Sequence, residues 1–123
     1  MVTILVADDE PLIRWAIRET LEAAGYRVIE AGSARETISR MSEADGHPLK
    51  VALLDVRLPD SDDLSLLRRV RTQAPTCQII MMTAHGTPEL LRDAVDHGAF
   101  ATISKPFDLS SMLGLVQAAE KVA

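Results

Sequence analysis

The sequence has few aromatic residues, one cysteine and no long apolar run, and each shortage excludes a class of protein. Phe, Trp and Tyr make up 3% of the 123 residues, so a hydrophobic core has to be built from aliphatic side chains. Cys77 is the single cysteine, which excludes a disulfide framework within the chain and suits a reducing cytoplasm. No apolar run approaches the roughly 18 residues that a membrane-spanning helix needs, and the N-terminus lacks a signal-peptide pattern.

An excess of positive charge is also absent, because the formal net charge is -5. Contacts to nucleic-acid phosphates require clustered Lys and Arg, so we expect this chain itself to bind neither nucleic acid nor a membrane. Hydrophobic residues make up 47% and charged residues 25%, as in soluble globular proteins. The length predicts a single domain over residues 1–123.

Short apolar runs that end in polar residues recur along the chain. Residues 51–54 lead directly into Asp55, and Pro59 follows; a short apolar run closed by turn residues predicts a strand buried on both faces of a parallel sheet. Similar runs cover residues 2–7, 26–30, 78–82 and 101–104. Helical patterns separate and follow them, so the sequence predicts an α/β domain with five parallel strands covered by helices on both faces.

Several helix ends carry recognisable signals. Gly25 and Gly98 are expected to end the first and fourth helices, and Ser33 with Glu36 predicts a capping box for the second. A turn is predicted at residues 45–48. The buried face of the first helix is predicted to comprise six residues: Leu12, Ile13, Ala16, Ile17, Leu21 and Ala24.

Polar side chains follow four of the predicted strands. The first strand ends at Asp8 and Asp9, and Asp55, Thr83 and Lys105 end three others. Parallel strands bring their carboxyl ends to one edge, where ligands collect in open α/β sheets. Clustered carboxylates repel one another unless a cation is present, and Mg²⁺ favours carboxylate and phosphate oxygens.

Simpler interpretations exist for each of these residues. The acids at residues 8–10 suit a helix N-terminus, Thr83 can cap a turn, and Lys105 can be a solvated charge. The Lys105–Pro106 bond can be cis or trans. The combination favours a shared site, in which Lys105 pairs with an acid or binds a phosphoryl oxygen.

Four motifs in this order resemble those of the receiver domains of two-component response regulators. They are Asp-Asp-Glu-Pro at 8–11, Leu-Leu-Asp-Val-Arg-Leu-Pro at 53–59, Met-Met-Thr-Ala-His-Gly at 81–86 and Gly-Ala-Phe-Ala-Thr-Ile-Ser-Lys-Pro-Phe at 98–107. The resemblance covers nearly the whole chain. It implies a flavodoxin-like, doubly wound (βα)5 fold with strand order 2-1-3-4-5.

The resemblance also implies a role for each site residue. Asp55 would accept a phosphoryl group, which Thr83 and Lys105 would contact. Mg²⁺, or Mn²⁺ in its place, would be bound by Asp9, Asp55 and the backbone carbonyl of Arg57, with Asp8 acting through water. The chain would be a switch and not an enzyme, apart from its own phosphoryl transfer and autodephosphorylation.

Partners follow from the same resemblance. A cognate sensor histidine kinase would supply the phosphoryl group in the cytoplasm. Phosphorylation would change the surface of helix 4, strand 5 and helix 5. This surface would control a partner or a DNA-binding or ATPase output domain in a longer chain, or it would form a homodimer.

Two positions depart from the family pattern. Thr102 stands where Tyr or Phe is usual. The simpler interpretation is an ordinary exposed strand residue. The favoured interpretation is that the aromatic switch is missing and activation relies on loop movement. Asp63 stands where glycine is common, and it is expected to be solvated or to cap the third helix.

Three other functions fit the sequence less well. A haloacid-dehalogenase-like phosphohydrolase needs an acid where Arg57 stands, together with a cap domain. A flavodoxin-like flavin carrier needs a phosphate loop where residues 8–10 are acidic. A degenerate receiver that only binds partners would be expected to lack a site residue, and none is missing.

Overall fold

A parallel sheet forms the centre of the protein. The computed structural model describes residues 2–44 and 49–123. Its five strands are β1 (Thr3–Ala7), β2 (Arg27–Ala31), β3 (Leu49–Asp55), β4 (Gln78–Thr83) and β5 (Ala101–Ser104). All pair in parallel in the order β2-β1-β3-β4-β5, which confirms the predicted fold. The predicted turn at residues 45–48 lies outside the described residues.

Five helices cover the sheet: α1 (Pro11–Ala23), α2 (Ala34–Arg40), α3 (Ser65–Gln73), α4 (Pro88–Asp96) and α5 (Leu109–Val122). A short 3₁₀ helix, Met41–Ala44, follows α2. Helices α1 and α5 pack on one face, and α2, α3 and α4 on the other. Within the described part of the chain, no helix has both the length and the hydropathy to span a membrane.

The two faces of the sheet bury two separate cores because strand side chains alternate in direction. In β1, Ile4 and Val6 pack toward α1 and α5, whereas Leu5 and Ala7 pack toward the other three helices. All four are fully buried. Such two-sided burial explains the nearly continuous apolar runs of the central strands.

The predicted inner face of α1 is partly wrong. Ile17 and Leu21 are fully buried, but Leu12 is 76% exposed and Ala24 is also exposed. An α-helix has 3.6 residues per turn, so Leu12 points away from the core when its neighbour Ile13 faces it. Ala24 lies outside because it follows the last residue of α1.

Both predicted glycine ends are confirmed. Gly25 and Gly98 have φ of 96° and 95°, the left-handed conformation that glycine adopts without a Cβ penalty. Ser33 accepts a hydrogen bond from the Glu36 N–H at 3.0 Å, as predicted. The Glu36 carboxylate accepts from the N–H of Gly32 and not from that of Ser33, so the capping box is displaced by one residue.

The two glycines allow a matched stability test. A Cβ on Gly25 meets no atom within 4 Å, whereas one on Gly98 lies 3.0 Å from Nε of Arg71, which hydrogen-bonds the carbonyls of Pro75 and Gly98. Gly25→Ala should cost about 1 kcal/mol of unfolding free energy from backbone strain, and Gly98→Ala about 1 kcal/mol more from displaced hydrogen bonds.

Urea unfolding measures both costs. In an Arg71→Ala background the two substitutions should become equally costly, because only the backbone strain remains. Equal costs with Arg71 present would contradict this explanation.

Candidate functional site

The candidate site lies where the strand order reverses, at the carboxyl ends of β1 and β3. Asp8 follows β1 directly, and Asp55 is the last residue of β3. β3 and β4 pair so that Asp55 lies beside Met82, one residue before Thr83. A crevice outside the strand ends at such a reversal is the usual ligand site of this architecture.

Lys105 joins the two buried carboxylates. Its Nζ lies 2.7 Å from Oδ2 of Asp8 and 2.8 Å from Oδ2 of Asp55. Asp8 is fully buried, Asp55 is 7% exposed, and the Lys105 side chain is 10% exposed. Nζ also lies 3.4 Å from Oε1 of Glu10. One ammonium therefore serves at least two acids that are shielded from water.

Backbone N–H groups hold the remaining oxygens. Oδ1 of Asp8 accepts from the N–H of Glu10 at 2.9 Å, and Oδ1 of Asp55 accepts from the N–H of Arg57 at 3.0 Å. The Thr83 hydroxyl accepts from the N–H of His85 at 3.1 Å. These turns orient each polar group toward the strand edge.

Burial and pairing oppose each other in the two ionisable groups. Burial raises the pKa of Asp55 above its ordinary value, even though hydrogen bonds from Lys105 and the Arg57 N–H lower it. Burial lowers the pKa of Lys105, but its hydrogen bonds to Asp55 and Asp8 outweigh this, and the net shift is upward. The lysine is therefore charged, and its ammonium only partly offsets the cost of burying the Asp55 carboxylate.

The four acids fit a hard divalent cation. One carboxylate oxygen from each of Asp8, Asp9, Glu10 and Asp55 can be chosen so that all lie within 4.8 Å of one another. Oxygen donors of this kind suit Mg²⁺ or Mn²⁺. Asp9 and Glu10 are exposed, so the cluster is open to solvent on the side from which an ion would enter.

A cleft of about 270 Å³ opens over these groups. Its lining comprises Asp9, Glu10, Asp55, Val56, Arg57, Asp62, Thr83, Ala84, His85, Leu90 and Lys105. The structure therefore brings together Asp9, Asp55, Arg57, Thr83 and Lys105, with Asp8 buried behind them. The cleft has room for a small anion, and its lining includes Asp55, Thr83 and Lys105.

The sequence pattern predicts no site role for two acids of the cleft. Glu10 contacts Lys105 and belongs to the metal-compatible group, and its position beside Asp9 was the available signal. Asp62 lines the cleft, but nothing in the sequence distinguished it from the other acids of its loop.

Asp63, Thr102 and the Lys105–Pro106 bond lie around the site. Asp63 caps α3, because its Oδ1 accepts from the N–H of Ser65 at 2.8 Å, as expected. Thr102 is half-buried on β5, and Phe100 packs against the core shared by α1 and α5. The Lys105–Pro106 peptide bond is cis.

Solved structures of known proteins share this architecture. A CheY-like response regulator receiver domain protein from Methanospirillum hungatei superposes with a TM-score of 0.89 at 27% identity, covering 98% of this chain and 94% of that one. NtrX from Brucella abortus gives a TM-score of 0.84 at 30% identity, with 98% of this chain and 26% of that one covered.

Sequence comparisons agree. The DNA-binding transcriptional regulator NtrC of Proteus hauseri is 33% identical over 116 residues, which are 94% of this chain and 24% of that protein. This chain thus spans about a quarter of the length of such relatives. Residues 4–117 match the model of the response regulator receiver domain. The chain therefore belongs to the response regulator receiver domain family.

Proposed function

We propose that this chain is a phosphorylation-dependent switch in which Asp55 accepts a phosphoryl group from a sensor histidine kinase. The observation that carries the proposal is the shared contact of Lys105 with Asp8 and Asp55 at 2.7 and 2.8 Å. It places one cation beside the candidate nucleophile, at the mouth of a cleft that Thr83 also lines. Phosphoryl transfer depends on such positioning and charge.

In the proposed reaction, a carboxylate oxygen of Asp55 attacks phosphorus of a phosphohistidine. The new P–O bond forms as the P–N bond breaks, and the imidazole leaves with the electron pair. Lys105 and Thr83 then contact the phosphoryl oxygens, so the ammonium moves from the carboxylate to the product. Attack by water on phosphorus later releases inorganic phosphate and restores Asp55.

Asp9, Asp55 and the backbone carbonyl of Arg57 would hold Mg²⁺ directly, with Asp8 acting through water. When bound, Mg²⁺ supplies positive charge that offsets the acids and the phosphoryl oxygens. Asp8 contributes by retaining Lys105 next to Asp55. The proposed chemistry comprises the chain's own phosphoryl transfer and autodephosphorylation, without turnover of another substrate.

The route from Asp55 to the surface would pass through the β4–α4 connection. A Cβ placed on Gly86 would lie 3.0 Å from both Cγ2 of Thr83 and Cδ2 of Leu91, so Thr83 and α4 pack against the same glycine. Ala94 is the buried residue of α4, which leaves this helix weakly held. Moving a two-state equilibrium from 1:99 to 99:1 needs roughly 5.5 kcal/mol of preference for one state.

Thr83→Ala should weaken the response of α4 to phosphorylation far more than Thr102→Ala does. Thr83 lines the cleft, whereas Thr102 is a half-buried strand residue with no aromatic ring to move. Amide hydrogen exchange across residues 84–96, compared before and after phosphorylation, measures the response. Equal effects of the two substitutions would reject this route.

The proposed partners extend beyond the domain. A cognate histidine kinase is the donor, and the surface of α4, β5 and α5 is the proposed contact for an output domain or a second copy. Relatives such as NtrC are named DNA-binding transcriptional regulators and are about four times longer, which supports an output domain in a longer, cytoplasmic chain.

Intact mass after incubation with acetyl phosphate tests the function. Wild-type protein should gain one phosphoryl group with Mg²⁺ and none with excess EDTA. Failure to gain the group from acetyl phosphate or from a phosphorylated kinase, with Mg²⁺ present, would reject the switch and favour a receiver that acts by binding alone.

A further inference from the structure

Arg14 contacts the main chain of the acidic cluster from outside the cleft. Its Nη1 donates to the backbone carbonyl of Asp8 at 2.7 Å, and its Nε donates to Oε1 of Glu30 at 3.1 Å. The Arg14 side chain is 22% exposed, so most of its length is packed. One guanidinium therefore links α1, the end of β1 and β2.

Glu30 is fixed from a second side. Nη1 of Arg18 donates to Oε2 of Glu30 at 2.7 Å, so both oxygens of this carboxylate are engaged by arginines. The planar fork of Arg14 can bond the carboxylate and the Asp8 carbonyl together, which a lysine ammonium does less well. A Cβ on Gly32 would lie 3.3 Å from Nη1 of Arg14, so glycine leaves room for the guanidinium.

The Asp8 carbonyl belongs to the peptide plane that joins Asp8 to Asp9. Because that plane is rigid, holding its oxygen limits the directions in which the Asp9 carboxylate can point. Removing a group that orients a metal ligand without binding the metal typically lowers metal affinity 10–100-fold. Arg14 is the group in this position on the β1 side of the cluster.

We infer that Arg14, oriented by Glu30, is a positioning residue for the divalent-cation site. It holds the Asp8–Asp9 peptide so that the acids after β1 meet Asp55. This inference rests on the proposed function for its ion. It opposes the simplest electrostatic expectation, in which removing a positive charge near the site would tighten cation binding.

Mg²⁺ titration of the full chain by calorimetry separates the two effects. Arg14→Ala should weaken Mg²⁺ binding about tenfold, and Arg14→Lys should restore part of that loss. Arg18→Ala is the matched control, because it removes an equal charge and a Glu30 contact without touching Asp8; it should change affinity less than about twofold. Unchanged or tighter binding in Arg14→Ala, or equal weakening in Arg18→Ala, would overturn the inference.

A metal-free measurement keeps the inference separate from the proposed function. In EDTA, Arg14→Ala should speed amide hydrogen exchange at Glu10, whose N–H donates to Oδ1 of Asp8, whereas Arg18→Ala should leave it unchanged. Wild-type protein that binds no Mg²⁺ would reject the proposed ion, while the exchange rates would still decide whether Arg14 holds this segment. Unaltered exchange in Arg14→Ala would overturn the positioning role.

Discussion

Asp55→Asn is expected to abolish phosphoryl incorporation, reducing it by more than about a hundredfold at any Mg²⁺ concentration. The amide has the shape of the carboxylate, but its one oxygen can keep only one of two contacts, because the Arg57 N–H donates to Oδ1 and Lys105 Nζ to Oδ2. It lacks the anionic oxygen that attacks phosphorus. Incorporation from acetyl phosphate, followed by intact mass over time, measures the effect.

Two controls separate loss of the nucleophile from loss of the ion. Asp9→Asn removes an exposed acid of the metal-compatible group, so its slower labelling should be restored by raising Mg²⁺. Asp63→Asn alters an acid that caps α3 and should label like wild type. Labelling of Asp55→Asn that recovers at high Mg²⁺ would contradict the assignment of Asp55 as nucleophile.

Lys105→Met is expected to destabilise the metal-free protein by about 3–5 kcal/mol, the usual cost of leaving buried charges without their partner. Asp8 and Asp55, which are 0% and 7% exposed, would lose the ammonium they share. Met preserves much of the length and volume of the side chain. Urea unfolding at pH 7 in EDTA measures the loss.

Mg²⁺ should stabilise Lys105→Met more than it stabilises wild type, because the ion replaces the missing cation and binds only the folded state. Lower pH should also reduce the difference in unfolding free energy between Lys105→Met and wild type. Burial already raises the pKa of Asp55, so its ionised form opposes folding above the ordinary carboxyl pKa, and protonation removes that penalty as the pH falls.

Lys121→Met is the matched control for this substitution. Lys121 is an exposed residue in the last turn of α5, and its replacement should change stability by less than about 0.5 kcal/mol. If Lys105→Met unfolded like wild type without metal, the ammonium would make no net contribution to the folded site.

The sheet was predictable because its central strands are buried on both faces. A run such as residues 51–54 has few alternatives once a polar residue and a turn close it. Parallel pairing then carries Asp8, Asp55, Thr83 and Lys105 to one edge without any knowledge of side-chain contacts. The order of the strands came from the resemblance to receiver domains.

The details of the site depended on distances that no pattern encodes. The sequence left open whether Lys105 pairs with an acid, and only the fold shows it between Asp8 and Asp55. Asp60 is a second example: its carboxylate accepts from the N–H groups of Ala34 and Arg35 at 2.8 and 3.0 Å, a contact that spans 26 residues for Ala34. The role of Arg14 could not be predicted from the sequence either, because Arg14 hydrogen-bonds a backbone carbonyl.

Locating the phosphoryl group on the chain tests the central claim most directly. Wild-type protein is phosphorylated with Mg²⁺, reduced with borohydride to convert an aspartyl phosphate into homoserine, digested, and sequenced by tandem mass spectrometry. We predict conversion at Asp55, with Asp8, Asp9 and Asp62 unchanged. Conversion at another aspartate, or a phosphoryl group that survives reduction on His85 or a hydroxyl residue, would contradict the account.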